Sequence, residues 1–352
     1  DTDSDSDEGE DADHDRDEDS PADVESDGLD ADPDPDEDMD TDAGTADADT
    51  GPVCSGAPVW TRFSSSGTSS PPELEDPRMA YDSARRVVVL FGGRGSSDSP
   101  GTWELDDSGW TRRHPSTSPP GRQDHGMVFD SDRGVTVIFG GESVGGSSLG
   151  DTWEWDGVAW TEIPTKVRPS AREDLAMAFD RSRKRTILFG GSSDAGTLGD
   201  PWEYDGTTWR ELAPGDSPSD REDAVMVYDA ARDRIVLFGG DDGSATFLDD
   251  TWEFDGTTWR EVATSEEPPD RKNSAMAYDE VCEVSVLFGG QGNADDLDDT
   301  WTWDGSRWRE IIGSSPSDRR DHAMAFFGVM GGVILFGGRD DTSEFGDTWE
   351  LR

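Results

Sequence analysis

The chain has 352 residues, with 81 acidic against 30 basic side chains, a formal net charge of −51 and only two cysteines. Such acidity opposes association with nucleic acid or anionic membrane surfaces, and two cysteines make neither a disulfide framework nor a metal knuckle. The longest apolar stretch, 326–336, has eleven residues including three glycines, well short of the ~20 a membrane helix needs.

From Asp1 to Cys54 there are 25 acidic residues, one basic residue and almost no large apolar side chains. A segment of this kind cannot bury enough apolar surface to offset its ordering entropy. Residues 1–53 are therefore expected to be a disordered acidic tail, and 54–352 the folded domain. The folded part carries 56 acidic and 29 basic residues, of which only Lys166, Lys184 and Lys272 are lysines. A high-salt habitat would favour the same composition. The chain begins at Asp1 rather than Met, so an upstream export signal is expected to have been removed.

Beyond the tail, Pro58–Phe63 reads as a short strand containing Trp60. The motif of an apolar run followed by Phe-Gly-Gly then occurs six times, with the first glycine at 92, 140, 190, 239, 289 and 337. A period near 49 is the mark of a repeat architecture. Each run is continuously apolar, as in a strand buried on both faces. A strand of the MAYD or MVFD type precedes each run. A strand of the TWEW type follows it, and after an Asp-Gly hairpin turn comes a fourth strand with its own tryptophan. Each repeat is thus four antiparallel strands, a to d. Strand c supplies Trp103, Trp153, Trp202, Trp252, Trp301 and Trp349. Strand d supplies Trp110, Trp160, Trp209, Trp259 and Trp308, each seven residues later. No tryptophan follows Trp349 at that distance, and Trp60 fills the gap. The expected fold is all-β: a six-bladed β-propeller in which the N-terminal strand, 58–63, closes the last blade.

The glycine pair ending strand b, the aromatic in strand c and the Trp of strand d resemble the kelch-repeat family, over residues 58–352. That resemblance implies a protein-interaction module, with a minority of members being enzymes. Tyr81, Tyr204, Tyr228 and Tyr278 all occupy the repeated aromatic position of a strand, so the ligand set of a copper oxidase is not matched.

Candidate site residues come from the polar positions of the repeat. Arg122, Arg172, Arg221, Arg271 and Arg319 each lie five residues before a strand-a methionine, with Leu74 there in the first copy. Asp124, Asp174, Asp223, Asn273 and Asp321 follow two residues after each Arg. Alternation along a strand puts Arg and Asp on one face, so a ring of Arg–Asp pairs is expected at one channel mouth, either as girdle or as anion site. His125 and His322 share one repeat position that elsewhere holds Leu175, Ala224 or Ser274, which points to packing more than to catalysis or metal binding. The aspartates Asp241, Asp242, Asp295 and Asp296 lie in strand b–c loops of a composition that suits Ca²⁺. Cys54 and Cys282 fall near one face and are expected to clamp the closing strand as a disulfide, which would place the protein in an oxidising compartment. The b–c loops differ among copies and share a face with the d–a loops. These features lead to the expectation of a monomeric, non-catalytic, exported or cell-surface module binding a protein or glycan through that face. A kelch-type enzyme at the channel mouth and a calcium-dependent adhesion module are the alternatives.

Overall fold

A computed structural model describes residues 58–64, 69–95, 101–244 and 246–352. The acidic segment 1–53 lies outside them, as does Cys54. The described residues contain strands and turns with no helix, and none of them forms a helix that could cross a membrane.

Six four-stranded antiparallel sheets make the blades of a propeller. Blade two is representative. Strand a is Gly126–Asp130, strand b Val135–Phe139, strand c Thr152–Trp155 and strand d Trp160–Ile163, hydrogen-bonded in that order. Strand b is buried nearly throughout in every copy, as its unbroken apolar run requires, whereas strand d buries its Trp and exposes the residues after it. Blade six joins the two ends of the chain. Its strands a to c are Ala323–Phe327, Gly332–Phe336 and Thr348–Leu351, and its fourth strand is Trp60–Arg62, with Trp60 opposite Leu351 and Arg62 opposite Trp349. Two further backbone bonds, Val59 N to Arg352 O at 2.8 Å and Arg352 N to Val59 O at 3.4 Å, extend this pairing.

The core consists of six apolar slabs between neighbouring blades. Each strand-d Trp reaches back to the preceding blade and meets the Phe of its Phe-Gly-Gly motif, with ring centroids 5.0–5.4 Å apart in all six interfaces. In five interfaces the indole Nε1 also donates to a threonine of the preceding strand c. These pairs are Trp60–Thr300, Trp110–Thr348, Trp160–Thr102, Trp209–Thr152 and Trp308–Thr251, at 2.9–3.0 Å. The sixth is missing: blade three has Pro201 in place of the threonine, and the buried Trp259 Nε1 has no acceptor.

On the face of the a–b turns, Arg85, Arg133, Arg183 and Arg232 lie against Gly157, Gly206, Gly256 and Gly305, the glycines of the next blade's Asp-Gly turn. Their φ of 89–94° favours glycine, and a Cβ on any of them would push the guanidinium aside. Blade five has Cys282 at the equivalent position, and Cys282 is disulfide-bonded.

Candidate functional site

The arginine ring has a different partner from the one expected. Arg122, Arg172, Arg221, Arg271 and Arg319 are all at most 2 % exposed. Each makes a bidentate pair with the Asp that precedes strand c of its own blade: Asp151, Asp200, Asp250, Asp299 and Asp347. Each also donates at 2.9–3.0 Å to the carbonyl of the first glycine in its Phe-Gly-Gly motif. The same aspartates accept from the strand-c Trp Nε1 at 2.6–2.7 Å. In Asp151, Asp200, Asp250 and Asp347 burial pushes the carboxyl up, but the arginine and indole bonds outweigh it and leave it below the ordinary value. The guanidinium donors are consumed in holding the d–a segment to the end of strand b and the start of strand c. Blade one, with Leu74 for Arg, has Gly101 for the Asp.

The aspartates two residues after each Arg do not follow strand alternation, because they stand in the left-handed region. Asp76, Asp124, Asp174, Asp223, Asn273 and Asp321 have φ between 53 and 59°, a conformation Asp and Asn tolerate better than most residues. They form a ring of their own at the channel mouth. Backbone bonds of 2.8–3.0 Å run from Asp76 N to Asp321 O, Asp174 N to Asp124 O, Asp223 N to Asp174 O and Asp321 N to Asn273 O. Asp76, Asp174, Asp223, Asn273 and Asp321 line a cavity of about 120 Å³. Burial, joined by the charges of Asp124 and Asp321, pushes the Asp76 carboxyl well up. Burial and then Asp223 do the same to Asp174. Burial raises Asp321 to about 7, aided by Asp223 and Asp124. Asp223 rises to about 6 through burial, with Lys272 pulling the other way.

Below the aspartates, six strand-a methionines (Met79, Met127, Met177, Met226, Met276 and Met324) line both this cavity and a second one of about 180 Å³ toward the opposite mouth. They are 7–8 % exposed and form the floor of the acidic mouth. One further residue, unforeseen from the sequence, lines the mouth. Arg78 of blade one stands where the other blades have Gly126, Ala176, Val225, Ala275 and Ala323. The sequence signal was there: one copy in six departs from a small or apolar residue.

His125 and His322 are 0 % and 2 % exposed and pack edge-on against Phe91 and Phe288. Burial, then Arg78 and Arg122, hold His125 well below its ordinary value; burial, then Arg319 and Arg78, bring His322 to about 3. Both are neutral packing groups at physiological pH.

The loop aspartates are drawn apart into separate bonds. Asp241 meets Lys272 Nζ at 3.1 Å, Asp242 caps its own turn through Ser244, and Asp296 pairs with Arg320. The Asp295 carbonyl accepts from Gly292 N. Among the described residues, no group of three or more His, Cys, Asp or Glu is arranged to hold a metal ion.

The b–c loops and d–a segments do share one face. Arg172 N bonds Leu149 O, Arg221 N bonds Leu198 O, Arg271 N bonds Leu248 O and Arg319 N bonds Leu297 O, each linking one blade's b–c loop to the next blade's entry. The acidic mouth opens among these segments.

A family model described as the KLHDC2/KLHL20/DRC7 Kelch-repeats domain matches residues 55–213 and 207–352. Among solved structures, the one titled "Structure of YjhT" is similar at a TM-score of 0.65 and 15% identity, covering 80% of this chain and 95% of that one. That likeness is one of fold. No curated protein matches the chain.

Proposed function

Since the chain belongs to the kelch-repeat family, we propose that it is a non-catalytic binding module that engages a protein partner through the face carrying the b–c loops and d–a segments. One observation carries this reading: the buried Arg–Asp pairs hold the loop bases of five blades in the same way, while the loop tips differ in length and sequence from blade to blade. A rigid rim bearing variable tips is the arrangement a recognition surface needs. The disulfide at Cys282 supports an exported or cell-surface setting, with the acidic tail as a spacer. A glycan ligand would use the same face.

The test is binding of the full chain to arrays of extracellular proteins and of glycans. Charge reversal at the loop tips, Asp242→Lys with Asp341→Lys, is expected to abolish the saturable signal. Glu211→Lys on an outer strand is expected to leave it intact. Equal effects of the two changes would refute the assignment of the face.

A second reading, an enzyme working at the channel mouth, draws support from Arg78 beside Asp321, whose carboxyl is raised to about 7. Turnover of a ligand found on the arrays, abolished by Arg78→Ala, would favour it.

A further inference from the structure

The acidic mouth is a poor home for its own carboxylates. Four of them, Asp76, Asp174, Asp223 and Asp321, line a cavity of about 120 Å³; Asn273 Nδ2 donates to Asp223 Oδ1 at 3.0 Å, while Asp76 and Asp174 meet the neighbouring carboxyls of Asp124 and Asp223. The cations at hand stand back: Arg78 Nη1 is 3.9 Å from Asp76, Lys272 Nζ 3.7 Å from Asp223 and Arg320 Nε 3.7 Å from Asp321. Separately from the accumulated charge, Asp76 Oδ1 is buried without a hydrogen-bond partner on a residue only 7 % exposed. A buried acceptor left unmade is costly and marks a place where a donor belongs.

The chemistry of that donor is constrained. No cluster of ligands among the described residues has the arrangement of a metal site. The floor of six methionine side chains is apolar and polarisable, which suits a weakly hydrated cation better than a strongly hydrated one. A guanidinium stays charged, offers five donors in one plane and tolerates an apolar floor. The cavity already admits one such group, since Arg78 lines it from the wall of blade one.

We propose that the channel mouth is a guanidinium subsite, into which an arginine side chain of the protein partner inserts, its donors meeting Asp76 and the neighbouring ring carboxylates. This rests on the loop face being the binding face. Arg78 acts there as a resident counter-ion that the incoming group displaces or joins.

Methylguanidinium is the probe, titrated into the full chain labelled at the methionine methyl groups, so that the floor of the mouth reports occupancy directly. A saturable shift confined to floor methionines is expected. Asp174→Asn combined with Asp321→Asn should weaken it by at least about tenfold. Asparagine is accommodated by this backbone, because Asn273 already occupies the ring. Unchanged methionine spectra in the absence of probe confirm that the variant is folded. Arg78→Ala should tighten binding by removing the competing cation. Asp242→Asn, which removes a carboxylate at an exposed loop, should leave it unchanged.

The proposal is overturned if shifts are unsaturable, if Asp242→Asn weakens binding as much as the ring variant, or if methylammonium binds as well as methylguanidinium. Failure of the probe while the loop-tip reversals still abolish partner capture would remove the subsite and leave the binding face standing.

Discussion

Replacing Pro201 by threonine should stabilise the protein. In five of the six inter-blade contacts a threonine at this position accepts the buried Trp Nε1 at 2.9–3.0 Å. At the sixth, Trp259 is 3 % exposed and its Nε1 has no partner. An unsatisfied buried donor costs about 1–3 kcal/mol. Proline contributes about 0.4–1 kcal/mol by restricting the unfolded chain, and that share is lost. The net expectation for Pro201→Thr is a gain of about 1–2 kcal/mol. Urea unfolding followed by tryptophan fluorescence measures it, with the same substitution repeated in a Trp259→Phe background. There the indole donor no longer exists and the gain should vanish. A gain of equal size in both backgrounds, or none in the wild type, would refute the reasoning.

Trp60→Ala removes both the Phe288 contact and the Thr300 bond at the seam and should cost about 3–5 kcal/mol; loss comparable to an exposed substitution in the same urea assay would contradict ring closure by this strand. Arg221→Ala strands Asp250 and the Gly239 carbonyl and should cost about 3–5 kcal/mol, whereas Arg185→Ala at the periphery should change the unfolding midpoint little. Stability should rise as pH falls from about 8 toward about 5. Asp321 and Asp223, raised to about 7 and about 6, bind protons in the folded state before the unfolded chain does, so protonation in that window favours folding. Below it, Asp151, Asp200 and Asp250, held low by their arginines, lose their pairs and stability falls again. Melting temperatures across this range should show the rise, and Asp321→Asn should flatten it.

The blade count was legible because each blade repeats the same Phe-Gly-Gly and tryptophan positions, and the structure uses both at every interface. The partner of the arginine ring was not read correctly, for a definite reason. Alternation assumes extended backbone, and Asp124 with φ 54° and its five counterparts interrupt it. The true partner lies 28–29 residues away, as for Arg122 and Asp151 or Arg172 and Asp200. A comparison of the copies would have revealed it, since blade one lacks both members together, with Leu74 and Gly101. Arg78 is not part of what the copies share, and the mouth is shaped by what one copy changes. The loop aspartates looked like cation ligands by composition. In space, Lys272 and Arg320 claim Asp241 and Asp296 one at a time, a pairing across blades that no local spacing reveals.

The seam in blade six shows that a blade can be assembled from segments far apart in the chain, joined without a covalent turn by pairing between Trp60–Arg62 and Thr348–Leu351. Val59 and Arg352 face each other across two backbone bonds, as residues flanking a hairpin do. A tight turn could therefore join them, and the chain could be reopened at another c–d turn, such as Asp255–Gly256, with every inter-blade Trp–Phe contact kept. Where the chain enters the ring is then a choice among six near-equivalent places, and circular permutation becomes a way to move that entry point around the rim relative to the variable loops.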